Sequence, residues 1–183
     1  QEFKINLPLA GNYQIKNLSC VLKALELMNN LGIQINLPAA IKGIEKTLFP
    51  GRFECINTSP LIIIDAAHNE EGISMLNQNI LQFFKGRKIA LFLGKLKDKD
   101  FSDPFKELLS NKYKIYTLTP QNERAMTNEE LTQFIKINYN INSKNIAIED
   151  IKNYIDYKEE NTVYIFAGSI YLISSVRKLL MSS

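Results

Sequence analysis

The 183 residues carry 22 Lys+Arg against 19 Asp+Glu, and 45% are hydrophobic, which excludes general disorder and suits one domain, or one with a piece of another, that buries its own core. A net charge of +3 from lysines scattered along the chain makes no case for nucleic acid, and no apolar run approaches the roughly 18–20 residues of a membrane span. Cys20 and Cys55 have neither a metal-ligand spacing nor a disulfide framework, and neither end reads as a signal peptide, which points to a reducing cytoplasm.

The opening part reads as helical. Ile15, Leu18, Val21, Leu22, Leu25 and Met28 follow one another at helical spacing and predict one apolar stripe, with Gly32 closing the helix. A second short helix is predicted behind Leu37-Pro38, where proline suits the first turn and Ala39, Ala40, Ile41 and Ile44 follow. From Gly51 the texture changes to short runs of Ile, Val, Phe and Tyr alternating with amphipathic stretches, the mark of an α/β sheet. Strands are predicted at 53–58, 61–65, 88–93, 114–118, 145–148 and 162–166, and helices at 70–84, 103–110, 128–138, 151–157 and 169–181. The runs Leu61-Ile62-Ile63-Ile64 and Val163-Tyr164-Ile165-Phe166 are continuously apolar, as central strands covered on both faces require. Only Ser59-Pro60 joins the first two strands, too little for a parallel crossover, so the sheet is predicted to be mostly parallel with one antiparallel strand.

The most informative stretch is Asp65-Ala66-Ala67-His68-Asn69-Glu70-Glu71-Gly72, where a buried strand ends in a carboxylate and a histidine before a helix begins. Carboxyl ends of strands line the ligand crevice of open α/β sheets. There Asp65 can accept hydrogen bonds from a sugar diol, and His68 can donate to a phosphate or orient a carboxylate; equally, both can do no more than satisfy loop backbone. Asn69 suits an N-cap, with Glu70 and Glu71 set against the helix dipole. Arg52, after the Phe49-Pro50-Gly51 turn, presents a planar fork suited to phosphate oxygens, or to an ordinary salt bridge. Gly94-Lys95-Leu96-Lys97-Asp98-Lys99-Asp100 reads by default as a solvated loop, and Ala167-Gly168-Ser169 as a tight turn with a capping serine. The chain contains no P-loop, nucleophile elbow, Cys/His metal site or Rossmann glycine fingerprint, so by itself it reads as an incomplete enzyme.

Taken in order, Gly11-Asn12-Tyr13-Gln14-Ile15-Lys16-Asn17, Phe49-Pro50-Gly51-Arg52-Phe53-Glu54, Asp65-Ala66-Ala67-His68-Asn69, Leu93 to Asp100 and Gly168-Ser169-Ile170-Tyr171-Leu172 resemble folylpolyglutamate synthase, often bifunctional with dihydrofolate synthase, a branch of the Mur ligase family. The resemblance spans nearly the whole chain. It implies a helical remnant of a central ATPase domain over 1–50 and a Rossmann-like C-terminal ligase domain over 51–183. It also implies an enzyme that uses ATP and Mg2+ to phosphorylate a carboxylate of folate or dihydropteroate, so that the amino group of L-glutamate attacks an acyl phosphate. In that scheme Arg52 meets the ATP phosphates, Asp65 the ribose hydroxyls, and Asn17 and Gln14 the adenine. His68 lies by the nucleotide or the incoming glutamate, and Ser169 on the glutamate side. Tyr13, Ala66 and Glu70 stand where the family more often has histidine, glycine and proline. The magnesium ligands, the phosphate loop and most of the folate pocket would lie upstream, so the chain alone is expected not to turn over, and the complete enzyme to be a monomer. A partial central domain should expose an apolar patch around Leu18, Leu22 and Leu25. Two alternatives are a peptidoglycan-precursor ligase of the same family and a stand-alone nucleotide-binding or interaction module.

Overall fold

The structure is a computed structural model that describes residues 4–11, 13–98 and 102–181; Asn12, Lys99 and Asp100 of the quoted motifs lie outside them. The chain divides into two compact units, Gln1–Pro50 and Gly51–Ser183.

The first unit holds α1 (Tyr13–Asn30) and α2 (Leu37–Glu45). Gly32, at φ +86°, takes the left-handed conformation that stops α1. Asn36 caps α2 by accepting the Ala39 N–H at 3.1 Å, with Pro38 in the first turn. The apolar stripe of α1 is largely open: Ile15 is 63% and Val21 45% exposed, Leu22 and Met28 are exposed too, and Leu18 and Leu25 are half-buried.

The second unit runs β1 (Glu54–Thr58), β2 (Leu61–Asp65), α3 (Glu70–Phe83), β3 (Lys88–Leu93), α4 (Ser102–Ser110), β4 (Lys114–Thr117), α5 (Asn128–Tyr139), β5 (Lys144–Asn145), a 3-10 helix over Ile148–Tyr154, β6 (Thr162–Ala167) and α6 (Ile170–Met181). Its six strands form one sheet in the order β1-β2-β6-β3-β4-β5. Among the described residues β1 is the one antiparallel strand, doubling back on β2 across Ser59-Pro60 with a register shift between Cys55 and Asn57. Residues alternate faces along each strand, so Ile63, Leu91 and Ile165 pack under α3, α4 and α5. Ile62, Phe92 and Phe166 face α6 and the 3-10 helix from the other side. The rings of Phe166 and Tyr116 stack on Phe92 at 4.4 and 4.6 Å.

Two predicted elements differ. The strand predicted at 145–148 shrinks to the two-residue β5, which meets β4 only at Tyr116 and Thr117. The helix predicted at 151–157 is instead the 3-10 helix. Ile148 and Ile151 are three apart, and a 3-10 helix aligns i and i+3 on one side, which lets both reach the core in seven residues.

Candidate functional site at the carboxyl edge of the sheet

Parallel register brings four strand ends into one row: Asp65 of β2 pairs with Ala167 of β6, Ala167 with Leu93 of β3, and Leu93 with Thr117 of β4. The loops that leave this row carry the Asp65–His68 segment, Gly94-Lys95 and Gly168-Ser169. Antiparallel β1 starts at the same edge, since Glu54 lies opposite Ile64, so the chain enters the unit beside Asp65 and delivers Arg52 there.

Asp65 ties the entry turn to its own loop. Its Oδ2 accepts the Phe53 N–H at 3.0 Å and its Oδ1 the Ala67 N–H at 2.7 Å. Next to these, the Ala66 N–H donates to the Gly51 carbonyl at 2.7 Å, and the Gly51 N–H to Glu54 Oε2 at 2.7 Å. Glu54 Oε1 in turn meets Arg177 Nε of α6 at 3.3 Å. Arg52 therefore sits in a turn fastened on both sides. The strain there is real: Phe53 holds φ +46°, a conformation an aromatic residue rarely adopts. It is kept so by its N–H bond to Asp65 and by burial of its ring 5.9 Å from both Phe83 and Phe84.

Asp65 is only 4% exposed. Burial pushes its carboxyl up to about 6, against the opposing pull of the Ala67 and Phe53 N–H groups and of the Arg52 charge. Each oxygen has one lone pair committed to backbone and one remaining, so satisfying the loop does not exhaust the group as an acceptor.

His68 is half-buried, and its Nδ1 lies 2.8 Å from the Ala66 carbonyl. A carbonyl only accepts, so Nδ1 carries the proton, and in the neutral ring Nε2 is an acceptor. Donation to a phosphate through Nε2 thus requires the imidazolium, whereas an amine is met by the neutral ring. Asn69 caps α3, its Oδ1 accepting the Gly72 N–H at 2.9 Å. Asn69→Ala should lower stability by about 1 kcal/mol, read as a shift in the urea midpoint.

The other side of the row is more closed than the charge density of its sequence suggests. Gly94, Lys95 and Leu96 are buried rather than solvated, and among the described residues of the loop Lys97 and Asp98 are the exposed ones. Lys95 places its ammonium 5.3 Å from the Phe134 ring centroid. Lys97 and Asp98 pair with Glu130 and Arg124 at 3.0 and 2.7 Å. The loop is thereby strapped to the segment that leads into α5, which starts in a capping box between Thr127 and Glu130. Its sequence mark is Thr127-Asn128-Glu129-Glu130, a threonine three residues before a glutamate. Ser169 is 1% exposed, and its hydroxyl accepts the Tyr171 N–H at 3.3 Å, capping α6.

Arg52, Asp65, His68 and Ser169 all belong to this edge. Gln14 and Asn17 belong to the first unit, where the Asn17 amide donates to Gln14 Oε1 at 2.9 Å. Gln14 is 3% exposed and its Nε2 has no hydrogen-bond partner among the described residues. No group of three or more His, Cys, Asp or Glu side chains comes together among the described residues, so these residues alone do not fit a metal site. No helix among them is long and apolar enough to cross a membrane.

The domain family described as "Mur ligase, glutamate ligase domain" matches residues 51–170. A dihydrofolate synthase/folylpolyglutamate synthase of Bacillus subtilis is 30% identical over 178 residues, 96% of this chain and 41% of its own length. One from Buchnera aphidicola (Baizongia pistaciae) is 28% identical over 176 residues, 96% of this chain and 40% of its own. The chain thus spans about two fifths of these relatives. Among solved structures, Mycobacterium tuberculosis folylpolyglutamate synthase complexed with ADP and AMPPCP superposes with a TM-score of 0.80 at 25% identity, over 96% of this chain and 41% of that one. Escherichia coli FolC in complex with DHPP and ADP has the same fold, with a TM-score of 0.82 at 23% identity over 97% of this chain and 41% of its own. With its sheet order, its carboxyl edge and a domain match over most of the second unit all in agreement, the chain belongs to the Mur ligase family.

Proposed function

We propose that this chain is the C-terminal part of an ATP-dependent ligase that joins L-glutamate to a folate or to dihydropteroate through an acyl phosphate. The observation that carries the reading is the fastened turn that holds Arg52 beside Asp65 at the carboxyl edge of a parallel sheet. The relatives named above as folylpolyglutamate synthases support it, as do the nucleotides named with their structures.

The proposed chemistry is one of charge and position. Arg52 offers a planar donor fork to the transferring phosphoryl oxygens, and the spare lone pairs of Asp65 accept from the ribose hydroxyls. Gln14 and Asn17 serve the adenine. His68 faces the nucleotide or the incoming glutamate through Nε2, and Ser169 holds the start of α6 on the glutamate side. Residues 1–50 are the end of the central ATPase domain, and residues 51–183 are the ligase domain. Mg2+ binds upstream residues, and turnover requires them; the protein acts in the cytoplasm as a monomer when complete.

The test is calorimetric titration with ATP and Mg2+, followed by phosphate release on adding the upstream portion of the Bacillus subtilis relative. Arg52→Ala should weaken nucleotide binding about tenfold, and Arg52→Lys by less, because it keeps the charge and loses the fork. Phosphate release should require both portions and L-glutamate. A folded chain that binds no nucleotide and ignores the Arg52 substitutions defeats the reading. The 27% identity over 161 residues to a Helicobacter pylori UDP-N-acetylmuramoyl-L-alanyl-D-glutamate–2,6-diaminopimelate ligase favours the peptidoglycan reading as the second choice. Release driven by diaminopimelate instead of glutamate would select it.

A further inference from the structure

At the opposite, amino end of β3, β4 and β6 lies a cavity of about 650 Å³ that the proposed ligase chemistry does not use. Its size is that of a small-molecule site. It is walled by aromatic rings: Tyr113, Tyr116, Tyr154 and Tyr164 all line it, and Tyr154 stands edge-on to Tyr116 with centroids 5.3 Å apart. The Tyr113 phenolic oxygen is buried without a hydrogen-bond partner among the described residues. Burial pushes the Tyr113 phenol up, so that hydroxyl is a protonated donor.

The charge of the lining is as distinctive as its rings. Five cations stand against two carboxylates, Asp156 and Glu159, and the surplus of three equals the formal net charge of the entire chain. Lysines that look scattered along the sequence are thus gathered by the fold. Lys88 spends its charge on Glu159 at 3.1 Å, and Arg87 donates to the Glu160 carbonyl. Lys85, Lys112 and Lys114 have no carboxylate partner among the described residues. A further ammonium, that of Lys144, lies 4.8 Å from the Tyr154 ring centroid. Lys85 and Lys112 follow the C-termini of α3 and α4, where cations offset the helix dipoles. That role does not extend to Lys114, which lies on β4, and it gives no reason for the tyrosines.

We propose that this cavity is a second ligand site, for a planar aromatic molecule bearing two or more negative charges, with the ring against Tyr116 and Tyr154 and the anionic group on Lys112 and Lys114. Nucleotides and polyglutamylated folates share that chemistry. The inference stands apart from the reading of the carboxyl edge, since the two use opposite ends of the sheet.

The test is amide and aromatic NMR of the 183-residue chain titrated separately with ADP, pteroyltriglutamate, tripolyphosphate and adenosine. ADP or pteroyltriglutamate should move the resonances of Tyr113, Tyr116 and Tyr154, and the tighter of the two identifies the source of the ligand. Lys112→Glu with Lys114→Glu, both on exposed side chains, should weaken that binding at least tenfold, whereas the same charge change at Lys16 and Lys42, equally exposed in the first unit, should leave it unchanged. Tyr154→Leu should weaken the aromatic ligand several-fold and leave tripolyphosphate unaffected. Shifts confined to the Asp65 end, no shifts at all, or tripolyphosphate binding as tightly as the aromatic probes would overturn the proposal.

Discussion

Gly168→Ala is expected to destabilise the second unit by about 3 kcal/mol or more, the sum of backbone strain and overpacking. Gly168 holds φ +104° at the end of β6, and a methyl group there would be driven into the carbonyl oxygen of Gly94. That oxygen cannot retreat easily, because the Gly94 N–H donates to Ala167 at 3.1 Å and the Leu118 N–H to Leu93 at 2.8 Å. Nor does Gly94 have room: a Cβ there would lie 2.9 Å from Pro120 Cγ and 3.0 Å from Leu172 Cδ2. Gly86→Ala supplies the control, since Gly86 has φ +82° with nothing within 4 Å. It should cost only the strain, about 1 kcal/mol. Urea unfolding of the two variants measures the difference, and equal midpoints would mean that the two loops do not need to touch.

Replacing Asp65 by asparagine should produce a loss that depends on pH. An asparagine offers one oxygen to two backbone donors, so either the Phe53 or the Ala67 N–H would face an NH2 group, at a cost of about 1–3 kcal/mol. Against this, the wild-type carboxylate at neutral pH bears the cost of a buried charge. Its folded pKa of about 6 lies above the ordinary 3.8, so the folded chain holds this proton more tightly than the unfolded one. The stability that follows is fully present below about pH 3.8 and is lost as pH rises through 6. From neutral pH down to about pH 4, the advantage of wild type over Asp65→Asn should therefore grow, by up to about 3 kcal/mol. Denaturant midpoints of both proteins across that range decide the matter. A difference that stays flat, or shrinks on acidification, would show that Asp65 is not buried in this way.

Much of the fold is written in local patterns. Leu61-Ile62-Ile63-Ile64 has no polar face to offer water, and Ser59-Pro60 leaves no length for a crossover, so a buried strand and its antiparallel neighbour follow from residues in sight of one another. The segment from Lys144 to Tyr157 was harder to read because its isoleucines satisfy strand spacing at Ile146 and Ile148 and helical spacing at Ile148, Ile151 and Ile155. What decides between them is how far β4 extends to pair, which is tertiary information. At the site, the proline-glycine turn and the Asp65 loop were each legible as places where chemistry sits. Their direct connection was not, for it runs through backbone N–H groups that no side-chain pattern encodes. Burial of Gly94-Lys95-Leu96 was hidden for a similar reason. The charges of Lys97 and Asp98 dominate the local composition, while their partners Glu130 and Arg124 stand about thirty positions on.

The order of the strands bears on how such a domain comes into being. β6 lies between β2 and β3 in the sheet, yet of these six strands it is made last. Until it arrives, β2 with its hairpin partner and β3 with β4 are separate pieces with bare flanks, and every parallel pairing β6 makes reaches back across roughly seventy to a hundred residues. Long-range pairings of this kind fold slowly and leave unpaired strand edges open to aggregation in the meantime. Nascent chains stopped before Thr162 should therefore depend on chaperones, and the insertion of one central strand converts two half-sheets into a single cooperative unit.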